Sequence, residues 1–211
     1  MPTNPLQLLI FIPNILFAIT IHECAHAWSA DRLGDPTARL MGRVTLNPIA
    51  HLDPIGVLCF IFAGFGWGKP VPVNSFNLRH PRRDDMIVSV SGPVSNLLAA
   101  AAFGLLFRAA VPFVHARGTV LWVLANLAHA GVQLNVVLAV FNLIPLYPLD
   151  GSHVLEGLLP RSAQSAYESF KSYGTTILLI VILLGSFANV QILSAVLGPP
   201  VGFLTKLFAG H

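Results

Sequence analysis

Residues 6–33 read LQLLIFIPNILFAITIHECAHAWSADRL, and this stretch decides the class of molecule. No Asp, Glu, Lys or Arg occurs from Met1 to His22; then His22, Glu23 and His26 arrive together, and the chain turns polar at Asp31-Arg32. A bilayer's hydrocarbon core is about 30 Å thick, and a helix rises about 1.5 Å per residue, so about 20 apolar residues cross it. One spanning helix is expected over residues 6–33. A secretory leader would open on basic residues and end at a small-residue cleavage site. Here the leader is MPTNP, and the pattern runs on through Trp28.

The rest of the chain follows the same style. Of 211 residues, 55% are hydrophobic and 10% charged, with a mean hydropathy of +0.72. A soluble domain carries about 25% charged residues. This composition excludes disorder, a coiled coil and a disulfide-stapled module; Cys24 and Cys59 both lie in apolar stretches. The net charge of +3 comes without basic clusters interleaved with aromatics, so no nucleic-acid partner is expected. Further windows free of charged residues run over 54–68, 86–107, 118–149 and 172–205. The first of these is too short to cross and holds five Gly or Pro, which reads as re-entrant or interfacial. The other three predict helices over about 86–112, 119–147 and 173–198. The expected fold is a single all-α polytopic membrane domain over 1–211. It has four spans, with five or six as alternatives, and a small membrane-associated β or re-entrant region at about 40–80. Within that region, alternating Val and Pro in residues 66–74 cannot propagate a helix and predict a short extended strand.

Basic residues orient such a chain in the bilayer. Arg32, Arg39, Arg43, Lys69, Arg79, Arg82, Arg83, Arg161 and Lys171 fall in two connections, against Arg108, Arg117 and Lys206 elsewhere. The two richer connections are expected in the cytoplasm, with both termini outside. Arg79, Arg82 and Arg83 read as anchors to lipid headgroups.

Ionisable groups inside a span are costly and point to function. Residues four apart share a helix face, so both imidazoles of His22-Glu23-x-x-His26 project one way. Two His at this spacing, with Glu after the first, are the ligand pair and general base of zinc hydrolases. A catalytic zinc takes three protein ligands and keeps a position open. The acidic residue abutting the long third span is Asp150, and it is expected at that helix's cytoplasmic foot, level with the histidines. His51 and Asp53 read as a helix cap and turn, with a role beside the metal as the alternative. His129 reads as an interhelical hydrogen bond, and His153 as a partner of Asp150 or a solvated residue. An alternative built on the same His and Asp cluster is a metal-ion or proton transporter; another is a catalytically silent membrane chaperone.

At these residues the chain resembles the site-2 protease family of intramembrane zinc metalloproteases (peptidase family M50). His22-Glu23-x-x-His26 matches its first motif and Asn142-x-x-Pro145-x-x-Pro148-Leu149-Asp150-Gly151 its second; Gly92-Pro93-x-x-Asn96 is similar to a segment between them. Asn47-Pro48-x-x-His51-x-Asp53-Pro54 and residues 66–74 resemble the compact bacterial branch, which lacks PDZ and CBS domains. The resemblance implies one zinc ion held by His22, His26 and Asp150, with Glu23 activating the zinc-bound water. Asn142 would steady the oxyanion, and Asn96 would order the pocket or the substrate. The implied substrate is a transmembrane protein or remnant signal peptide, cleaved in regulated intramembrane proteolysis at the bacterial inner membrane with the site toward the cytoplasm. Assembly as a homo-oligomer stays open. The strand carrying Val71 and Val73 is expected to receive an unwound substrate by β-addition.

Overall fold

A computed structural model describes residues 5–63, 66–187 and 191–210. Its α-helices are α1 (Pro5–Leu33), α2 (Thr37–Leu40), α3 (Pro54–Ala63), α4 (Pro81–Ala110), α5 (Val120–Asn142), α6 (Asp150–Leu158), α7 (Arg161–Lys171), α8 (Gly174–Phe187) and α9 (Ile192–Ala209). Local chemistry sets many of these ends. Asp53 Oδ1 accepts from the amides of Ile55 and Gly56 to start α3, with Pro54 in the first position where it costs no hydrogen bond. The Thr119 hydroxyl caps α5 through the Trp122 amide at 3.2 Å. Gly210, at φ 90°, closes α9 in the left-handed conformation.

Among the described residues, four helices, α1, α4 with its terminal turn, α5 and α9, are long and apolar enough to cross a membrane. The pair α7–α8, bent by 50°, makes a fifth if it counts as one span. A fifth crossing would put the two termini on opposite sides, against the even number expected from the charge pattern. Helix α3, ten residues long, is too short to cross.

Three expectations change. The helix expected over 173–198 is interrupted, because Gln191 leaves helical geometry (φ −84°, ψ 49°) and α9 starts afresh behind it; residues 188–190, Asn189 among them, lie outside the described residues. The helix expected over 119–147 stops at Asn142, because Pro145 and Pro148 cannot donate to a continuing helix. Asp150 therefore opens α6 rather than standing at the foot of α5. Residues 66–74 form no strand ladder among the described residues. An isolated antiparallel bridge joins Gly68 to Leu52, and the prolines leave too few donors for more.

In lipid, helices gain little from burying apolar surface against each other, so close packing and hydrogen bonds carry the assembly. Small residues line α1 where it meets its neighbours: Ala18, Ala27, Ser29 and Ala30 are all buried. Ser29 and Ser91 pair at 2.9 Å across α1 and α4, and Asn14 Nδ2 donates to Leu127 O on α5 at 3.0 Å. Further along, Ala100, Val132, Val136 and Ala209 join α4, α5 and α9, flanked by Phe103, Phe107 and Phe208. Large apolar side chains such as Leu98, Leu105, Leu106 and Phe203 face outward, as a lipid-facing surface requires.

Candidate metal centre

His22 and His26 stand one turn apart on α1, and both are buried. The space they fill exists because α4 presents Gly92 to them. A Cβ there would lie 2.4 Å from His26 Nε2 and 2.8 Å from His22 Cε1. Asp150 reaches the same point from α6. The turn after α5 folds back so tightly that a Cβ on Gly151 would sit 2.3 Å from Leu143 O. The result is a cluster with His22 Nε2 at 3.1 Å from Asp150 Oδ2, His26 Nε2 at 3.3 Å from Asp150 Oδ1, and the two Nε2 atoms 3.1 Å apart.

Hydrogen bonds on the far side of each ring decide what these atoms offer. His26 Nδ1 lies 2.8 Å from Val88 O, and a carbonyl can only accept, so Nδ1 carries the hydrogen. His22 Nδ1 lies 2.7 Å from Asn96 Oδ1, which likewise accepts. Each neutral ring then turns an Nε2 lone pair inward, toward a carboxylate whose Oδ2 is buried without a hydrogen-bond donor. Two nitrogen lone pairs and a carboxylate facing one another call for a cation. Two imidazoles and a carboxylate are a donor set that suits catalytic zinc. Among the described residues, His22, His26 and Asp150 are the group with metal-ligand geometry, their candidate ligand atoms all within 4.8 Å of one another.

Glu23 faces the connection between α3 and α4. Its Oε2 accepts from the Val71 amide at 3.1 Å. The extended segment is held in place from behind. Buried Arg43 donates to both Lys69 O and Pro70 O, and the Lys69 amide donates to His51 O at 2.8 Å. Burial lowers the pKa of the Arg43 guanidinium, and the charge of nearby Glu23 opposes that shift. His51, fully buried, donates from Nε2 to Thr45 O at 2.9 Å while Arg43 approaches its Nδ1. Asp35 ties the same connection to the end of α1. It accepts from the Thr37 amide and hydroxyl, the Asn74 amide at 2.7 Å and Asn77 Nδ2 at 2.9 Å. Burial pushes the Asp35 carboxyl up, but these bonds outweigh it and hold it below the usual carboxylate range.

The other expected residues fall in varied places. Asn96 is fully buried against His22. Asn142 Nδ2 donates back to Leu138 O at 3.0 Å, and no described hydrogen bond links it to His22, His26 or Asp150. His153 Nδ1 pairs with Asp85 at 3.0 Å instead of with Asp150. His129 packs its ring 5.0 Å from Phe107, apart from the metal cluster. Among the described residues Val73 makes no hydrogen bond, whereas the Val71 amide donates to Glu23. Sequence reading missed Asn135, Arg43 and Asp35 as parts of the site. Asn135 is one of several amides in a window free of charge, and the other two lie in a polar connection beyond the first helix.

The family model for peptidase family M50 matches residues 111–185, which include Asn142 and Asp150. Over 200 residues the chain is 40% identical to "Putative zinc metalloprotease YwhC" of Bacillus subtilis (strain 168), covering 90% of this chain and 89% of that protein. It is 33% identical over 181 residues to "Putative zinc metalloprotease Rip2" of Mycolicibacterium smegmatis, covering 83% and 67%. No solved structure matches the chain. Identity of this extent reaches well beyond the short motifs and includes the helices that carry them, and so the chain belongs to peptidase family M50, as a zinc metalloprotease built of membrane-spanning helices.

Proposed function

We propose that this metalloprotease is an intramembrane endopeptidase, cutting peptide bonds in or near transmembrane segments of membrane proteins or remnant signal peptides. The observation that carries the reading is the position of His22, Glu23 and His26 on α1, a helix apolar enough to cross the bilayer. From Pro5 to His22 the helix rises about 26 Å, so the centre lies toward the far face of the hydrocarbon core. With the basic connections in the cytoplasm, that face is the cytoplasmic one, and a bacterial plasma (inner) membrane suits the relatives' organisms.

His22, His26 and Asp150 would hold one zinc ion, which when bound polarises the scissile carbonyl and makes water a better nucleophile. Glu23 takes the proton from the attacking water and returns it to the leaving amine. The Val71 amide on Oε2 keeps that carboxylate aimed while its other oxygen is left for proton transfer. A helical substrate hides its carbonyls in its own hydrogen bonds, so it must unwind before reaction. The extended segment around Val71 and Val73 would then satisfy the opened backbone by strand addition. Asn142 would swing from Leu138 O to donate to the developing oxyanion. Zinc content and cleavage of a transmembrane substrate in vesicles test the reading. Glu23→Gln is expected to keep zinc and lose about 10²–10⁴-fold in rate. Wild-type protein that binds no zinc, or Glu23→Gln that cleaves normally, overturns it.

A further inference from the structure

Behind His22 a chain of hydrogen bonds crosses three helices. Asn96 on α4 donates from Nδ2 to Ala18 O on α1 at 2.9 Å and to Asn135 Oδ1 on α5 at 2.9 Å. Asn135 Nδ2 in turn donates to Gly131 O at 2.8 Å. Asn96 and Asn135 are both fully buried. Each amide is oriented by a backbone carbonyl, because Ala18 O and Gly131 O can only accept. Gly131 O therefore fixes Asn135 with its oxygen toward Asn96. Both Asn96 hydrogens are then committed, one to each partner, and Asn96 Oδ1 is left to accept from His22 Nδ1.

We propose that Asn135 is a positioning residue for the metal centre: through Asn96 it holds His22 with its Nε2 lone pair facing His26 and Asp150. It touches neither metal ligand nor substrate. His26 needs no such relay, since Val88 O orients it directly. Outer partners of a ligating histidine set its ring orientation and basicity, and losing one weakens metal binding about 10–100-fold. Being one link further out, Asn135 belongs at the lower end of that range.

The proposal rests on the zinc reading above, and the test separates the two. Zinc affinity of the full chain in detergent is measured by competition with a chromophoric chelator, alongside the absorption spectrum of the cobalt-loaded protein and the melting temperature of the metal-free protein. Asn135→Leu is expected to weaken zinc about tenfold and alter the cobalt spectrum. Asn135→Asp is isosteric and stays protonated when buried, so it can donate to Gly131 O and accept from Asn96; it is expected to restore affinity to within about twofold. Asn14→Leu, which removes another hydrogen bond between α1 and α5, is the control and should leave zinc affinity unchanged. If Asn135→Leu does not fold, Asn135→Ala takes its place. Wild-type affinity in the Leu or Ala variant overturns the relay. So does an Asp variant as weak as Leu, or an Asn14→Leu variant weakened equally. A wild-type protein that binds no zinc overturns the metal reading itself.

Discussion

The site is built in two halves of different construction. Spanning helices α1, α4 and α5 supply the histidines and the amide relay behind them. The connections, residues 34–80 and 143–149, bring Asp150 into place and lay an extended segment across Glu23. In the helical half, neutral side chains hold one another, His22 on Asn96 and Asn96 on Asn135, and helix carbonyls such as Val88 O take their remaining donors. In the connecting half, buried charged side chains hold backbone: Arg43 grips two carbonyls, and Asp35 takes two amides besides a hydroxyl and an amide side chain. The difference has a physical origin. A helix satisfies its own backbone, so its side chains are free to meet one another. An irregular segment near the membrane has backbone groups that need partners, and side chains must supply them. The two halves should therefore fail differently, the first by losing metal and the second by losing cleavage with the metal still bound.

The largest effect is expected in the helical half, at Gly92. An alanine Cβ would collide with both imidazoles, and neither ring can withdraw without leaving its partner on Asn96 or Val88. Gly92→Ala should lower zinc affinity by about 100-fold or more and destabilise the metal-free fold by about 1–3 kcal/mol. Chelator competition and thermal unfolding read the two effects separately. A variant that binds zinc normally would mean that α1 and α4 can part cheaply, and the division into halves would lose its rigid member.

Arg43 sharpens the comparison from the other side. Arg43→Leu releases Lys69 O and Pro70 O, and the Val71 amide drifts from Glu23. Displacement of a positioned catalytic group by about 1 Å costs about 10²-fold, so cleavage of a transmembrane substrate should fall by about 10–100-fold. Zinc affinity should stay within about twofold, because no metal ligand is touched. Arg43→Lys should recover little, since an ammonium cannot fork across two carbonyls as a guanidinium does. Equal loss of zinc and activity in Arg43→Leu would merge the two halves into one.

Legibility in the sequence follows the same division. The spans announce themselves as windows without charge, and His22, Glu23 and His26 follow from helical spacing. Asp150 is legible as an acid beside a span, but not the helix it belongs to: α5 ends at Asn142, and the prolines expected to sit at a helix foot make a turn into α6. Asn135 is not legible because nothing in its spacing sets it apart from Asn126, Gln133 and Asn142 in the same window; the side chain that gives it a role, Asn96, is on another helix. Arg43 reads from sequence only as an orienting charge and Asp35 not as a site residue, since their roles depend on which backbone atoms the connection brings to them. The extended character of residues 66–74 could be read from Val and Pro alternation. That Gly68 bridges to Leu52, and the Val71 amide to Glu23, is tertiary information that no local pattern carries.

The smallest effect on the site, also in the connecting half, concerns Asp35. Its carboxyl titrates below the usual range because four donors favour the charged form more than burial disfavours it. A group whose folded pKa is depressed contributes stability that is fully present above its unfolded value, about 3.9, and lost as pH falls through the folded value. The junction between α1 and residues 74–77 should thus hold at neutral pH and loosen only in strong acid. Hydrogen exchange at the amides of Thr37 and Asn74, compared between wild type and Asp35→Asn, reads this directly. Asp35→Asn keeps one acceptor oxygen but places an amide nitrogen where a donor expects a lone pair. It should speed exchange at neutral pH, lower stability by about 1–3 kcal/mol, and flatten the acid dependence seen in wild type. Zinc affinity should not follow, because the junction carries the extended segment and not the histidines. If acid loosened the histidine cluster and the junction in step, the backbone-holding charges would be supporting the metal as well, and the separation between the halves would lie elsewhere than at the end of α1.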